Sequence, residues 1–134
     1  MSETPQPPTE QELREFFSNS SQEITDYLQR AIPLLQELPV MLRSAQPQQG
    51  LQQVAQVTEG LSLMLEYLQA AQTLSFLAEH AGNFAMLERD LSAAIIQLAD
   101  AMEQQDTGLM ADIVEYELIE RLEALNQQVS HILA

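Results

Sequence analysis

Cysteine is absent from the 134 residues, which excludes a disulfide scaffold, a thiolate metal site and a cysteine nucleophile. Lysine and tryptophan are absent too. The only cationic side chains beyond histidine are five arginines (Arg14, Arg30, Arg43, Arg89, Arg121), set against 20 carboxylates for a net charge of −15. Such a chain repels phosphate backbones and anionic lipid, so nucleic acid is not expected as a partner and anionic membrane surfaces are poor candidates. Four isolated glycines leave no loop that could wrap a phosphate with successive N–H groups. No apolar run approaches the roughly 20 residues of a membrane span. Residues 1–8 hold three prolines and a glutamate with no basic or apolar stretch, unlike a signal peptide. They read as a flexible tail, with 9–134 as a single helical-bundle domain and a cytoplasmic location as the default.

What remains is rich in helix formers. Leucine occurs 21 times, alanine 15 and glutamine 18, against five valines and seven isoleucines. This mix favours helix over strand, and 46% hydrophobic content is ample for a core. The glutamines are scattered in pairs through helical patterns, filling solvent faces where other proteins use lysine. The acidity serves solubility, and its sharper use is attraction of a basic partner.

Thr9-Glu10-Gln11-Glu12 matches a capping box and opens a short first helix carrying Leu13, Phe16 and Phe17. Ser20-Ser21-Gln22-Glu23 is a second match, either a restart or a coincidence within one longer helix. Ile24, Leu28, Ala31, Ile32, Leu35 and Leu42 recur at helical spacing, and Pro33 and Pro39 within them predict a kink or a break. A long helix is expected from about Gln48 to Ala81 with two apolar stripes. Val54, Val57, Leu61, Met64, Leu65 and Leu68 share one side, and Leu63, Tyr67, Ala70, Leu74, Leu77 and Ala81 the other. Gly82-Asn83 is expected to stop it. Phe84 to Met102 forms the next stripe, and Ala111, Val114, Leu118, Leu122, Leu125, Val129 and Ile132 form the seam of a last helix from about Leu109 to Leu133. The fold expected is an all-α antiparallel bundle of about four main helices, with a short N-terminal helix packed across it.

Catalytic chemistry finds no foothold. Di-metal bundles place glutamate three residues before histidine, but Leu77 and Gln128 stand there before His80 and His131. No metal, cofactor or catalytic site is therefore assigned. Glu117 and Asp112 are the only carboxylates remotely placed for acid–base work, with no sign of a shaped pocket. Gly60, mid-helix, reads as a close approach by a neighbouring helix, with a hinge as the alternative. Asp106 and Asp112 suit the start of the last helix, where the dipole favours negative charge. Leu109, Ile113 and Tyr116 lie opposite the main seam. That trio is either covered by Leu13, Phe16 and Phe17 or free to bind a partner.

Thr58-Glu59-Gly60-Leu61, and the run from Ala101-Met102-Glu103 through Asp106 to Ala111-Asp112-Ile113-Val114-Glu115-Tyr116-Glu117-Leu118, resemble a group of small uncharacterised bacterial helical proteins. The shared feature is an Asp-x5-Asp-x3-Tyr-Glu-Leu segment, and the resemblance spans about residues 20 to 133. It implies a bundle and no assigned activity. In size and plan the chain also resembles flagellar export chaperones, which hold an unfolded client against helices. The functional expectation is a non-enzymatic protein-interaction module, adaptor or chaperone-like, that uses the face of Leu109, Ile113 and Tyr116. The alternative is a symmetric homodimer closed by the extra apolar faces.

Overall fold

The computed structural model describes residues 6–133, so residues 1–5 of the expected tail lie outside the described residues, as does 134. Residues 6–9 have no regular structure. Helix α1 then runs from Glu10 to Leu42, α2 from Gln48 to Gln72 and α3 from Ala81 to Glu103. A 3-10 segment, Ser75–His80, joins α2 to α3. The last rod is α4 (Thr107–Ile113), a π turn (Val114–Leu118) and α5 (Ile119–Leu133) in unbroken succession. The described residues form an all-α bundle of four rods. Helix α1 packs on α2 and on α5, and α3 packs on α2 and on the last rod. Short connections and paired contacts such as Leu42 with Gly50 and Ser21 with Tyr67 make α1 and α2 antiparallel.

The first helix is not short, and it does not lie across the bundle. The Thr9 hydroxyl accepts from the Glu12 N–H at 3.1 Å, as the capping box requires, but the helix it opens continues for 33 residues. Ser20-Ser21 is therefore no restart, and Ser21 is fully buried mid-helix. Neither Pro33 nor Pro39 breaks α1. A helix-interior proline costs about 3 kcal/mol. Pro33 and Gln29, whose carbonyl loses its partner, are both exposed, so water can serve the freed oxygen. Keeping helical phase also buries Leu35, Leu38 and Leu42, at roughly 1.5–3 kcal/mol each, which offsets the two prolines.

The second helix ends nine residues before the expected stop. Thr73 caps it, its hydroxyl donating to the Ala70 carbonyl at 2.8 Å, and Leu74 turns extended. Gly82 then lies in the first turn of α3 with ordinary helical geometry, so it stops nothing. Reversing early places Phe76 and Leu77 over one end of the core. There Phe17 stacks on Tyr67 with ring centroids 5.3 Å apart, and Phe76 and Phe84 meet Phe17 edge-on. The turn into α4 uses a left-handed residue, Gln105 (φ 57°), and Asp106 caps α4 by accepting from the Leu109 N–H at 3.0 Å.

Below that aromatic cluster the Ser21 and Tyr67 hydroxyls share a 2.6 Å hydrogen bond joining α1 to α2. Burial pushes the Tyr67 phenol up to about 12, with the Ser21 hydrogen bond pulling the other way. The neutral phenol belongs to the folded state, so its contribution is whole below the ordinary tyrosine range and is lost as pH rises through about 12. Ser21→Ala should destabilise by roughly 1–3 kcal/mol by stranding the phenol, and Ser21→Ala with Tyr67→Phe by less than Ser21→Ala alone. Urea unfolding of the two variants measures the difference. An ultraviolet titration of the wild type should show one tyrosine ionising only as the fold is lost.

Candidate interaction groove

The face expected to bind, Leu109–Ile113–Tyr116, is not one face. Ile113 is 5% exposed and belongs to the core, whereas Leu109 and Tyr116 point to solvent. The π turn is the cause. A uniform helical phase carried back from Leu122, Leu125 and Val129 sets Ile113 opposite the seam, but a π turn holds an extra residue and resets that phase. From α4 into the π turn the buried arc becomes Met110, Ala111, Ile113 and Val114. Nor do Leu13, Phe16 and Phe17 cover this region. They lie near the start of α1, whereas α4 meets its far end, where the Arg43 guanidinium donates to Asp112 at 2.7 Å and Glu115 at 2.9 Å. That pairing, and after it the Tyr116 hydroxyl, holds the Glu115 carboxyl below its usual range. Asp112 is thus a structural ion-pair partner. Its groups are solvent-exposed, so the pair orders the corner more than it stabilises it.

The open apolar surface is elsewhere, between α1 and α2. On α1 the positions Phe16, Ser20, Glu23, Tyr27, Arg30 and Leu34 repeat by three and four along one stripe. On α2 the facing residues are Val57, Gly60, Leu63, Tyr67, Ala70 and Leu74. These walls enclose two adjoining hollows of about 880 and 490 Å³. Phe16 is 72% exposed, Leu63 63% and Leu34 58%, and what sets them apart from other exposed apolar side chains is that they gather around these hollows. The floor of the larger hollow is the Phe17–Tyr67 stack.

Tyr27 divides the two hollows. Its ring lies against Gly60, and a Cβ there would stand 2.9 Å from the phenol carbon and closer still to the hydroxyl. Gly60 is the close approach that its mid-helix position implied. Exchanging it for alanine gains up to about 1 kcal/mol of helix propensity. That gain needs Tyr27 to move, and Tyr27 is a half-buried side chain free to swing at its tip. The repeat pattern shows a second apolar stripe on this helix but not whether a neighbour covers it. Tyr67, Leu74 and Leu77 do face inward or partly so, but Leu63 and Ala70 do not.

Elsewhere the site inventory is thin. His80 lies 3.5 Å from the Gln128 amide and edge-on to Phe84, and His131 is exposed. Among the described residues no three of His, Asp and Glu come together as a metal site, and no helix is long and apolar enough to cross a membrane.

A family model described as a domain of unknown function, DUF8042, matches residues 19–128. The chain belongs to that family. The matched span takes in both walls of the groove from Ser20 onward, and Phe16 precedes it. No curated protein and no solved structure matches the chain.

Gly60→Ala should leave stability within about 1 kcal/mol of wild type, propensity and Tyr27 displacement offsetting each other. On a Tyr27→Ala background the same exchange should stabilise. Thermal unfolding of the four proteins in this cycle reads the coupling between the two residues.

Proposed function

We propose that this chain is a protein-interaction module, adaptor or chaperone-like, that receives an apolar segment of a protein partner in the α1/α2 groove and catalyses nothing. The observation that carries this reading is the pairing of Phe16 and Leu63, both solvent-exposed, across a hollow of about 880 Å³. Burying two such side chains against a partner is worth roughly 1.5–3 kcal/mol each before ordering costs. Other exposed apolar side chains such as Ile96 and Met86 line neither of the two hollows. A second copy of the chain is a poorer occupant, because each would bring a net charge of −15 to the other.

The test is cross-linked recovery from the source cells, with Leu63→Asp compared against Ile96→Asp as an equally exposed control. The groove reading expects a partner retained by wild type and Ile96→Asp and lost, at least tenfold, with Leu63→Asp. Equal recovery by all three would sink it.

A further inference from the structure

The groove has a charged border as well as an apolar floor. At about 100° per residue, Glu15 and Asp26 fall on the flank of the Phe16–Leu34 stripe that faces away from the core, while Glu12 and Glu23 lie along that edge within the stripe itself. Beyond Leu63 on α2, Glu59 and Glu66 take the corresponding flank. All six are exposed. None is paired with an arginine among the described residues, since Arg14, Arg43, Arg89 and Arg121 hold Glu10, Asp112 with Glu115, Asp90 and Glu117. Arg30 is the single cation on this border, and its Nε donates to the Asp26 carbonyl of its own helix. Carboxylates therefore run along both edges of a trough whose anchors are apolar, with Glu23 and Glu66 reaching its lining. Their like charges repel one another until a cation lies between them.

From this we infer that the groove's occupant is a cationic amphipathic helix, with apolar anchors entering the trough and lysines or arginines meeting the two rims. The inference rests on the groove reading above and adds the chemistry of the partner. Eighteen residues separate Phe16 from Leu34, so the trough is about 27 Å long at 1.5 Å per residue. That length takes about five turns of helix. Tyr27, standing across the trough at Gly60, splits the anchors into two groups, the larger set against Phe16, Leu63 and Leu74. The rims supply encounter rate and selection against acidic sequences, and the anchors supply residence.

Three synthetic 18-residue peptides test this on the full chain: an amphipathic helix with a Leu/Phe face and a lysine face, the same apolar face with glutamates in place of lysines, and a scramble of the lysine peptide that has no apolar face. Fluorescence anisotropy gives affinity, and backbone amide shifts give location. The lysine amphipath should bind at least tenfold tighter than either control and shift Tyr27, Gly60 and Leu63. It should weaken at least tenfold with Leu63→Asp, and severalfold with Glu23→Gln plus Glu66→Gln. Equal binding of the lysine and glutamate amphipaths in the groove overturns the cationic occupant and leaves the groove reading standing. Scramble binding as tight as the amphipath reduces the effect to bulk attraction and also overturns it. Groove residues unmoved by both amphipaths overturn both readings. A peptide-free dimer with Leu63 at its interface assigns the groove to a second copy instead.

Discussion

The contact between α1 and α2 is made from beneath. Phe17 stacked on Tyr67, with the Ser21–Tyr67 hydrogen bond below, joins the two helices on their core side. Aromatic rings fill the contact there, and Tyr27 lies on bare Gly60 farther along. Above these contacts the outward positions Phe16, Leu34 and Leu63 stay exposed. The groove is thus a consequence of how the core is filled. Small residues in place of Phe17 and Tyr67 would draw the helices together and close it.

The same arrangement explains the division of labour within α1. Its inner arc buries Leu28, Leu35, Leu38 and Leu42, and that burial carries the helix past two prolines. One edge of its outer surface carries the acidic residues, and the stripe between sets Phe16, Tyr27 and Leu34 among Ser20, Glu23 and Arg30. A bundle helix ordinarily needs one apolar arc. This one has a second, narrower arc whose side chains are exposed.

Much of the fold was legible in spacing. The rods of α2, α3 and α5 follow leucine, alanine and valine repeats. The Thr9 and Asp106 caps are side chains placed before a helical run, and both accept the N–H groups expected of them. What escaped spacing depends on tertiary context. Pro33 and Pro39 look like breakers because the pattern does not weigh the leucines beyond them. Gly82 looks like a stop, yet the chain reverses nine residues earlier, where doing so brings Phe76 onto Phe17. Ile113 looks like a surface residue because a π turn has no signature in a list of apolar positions. The groove is half visible in the sequence: spacing shows the second α2 stripe, but a stripe does not say whether a neighbour covers it. Gly60 was the better clue, since a mid-helix glycine implies something pressed against it, and that something is the tyrosine dividing the trough.

A groove that receives a partner must stand open in the dilute protein. Paramagnetic relaxation by a soluble, uncharged nitroxide, read at the leucine methyl groups, tests this directly. An open trough should give strong relaxation at Leu63 and Leu34 and almost none at Leu61, Leu68 and Leu28. Methyl groups of Leu63 as sheltered as those of Leu61 would contradict it.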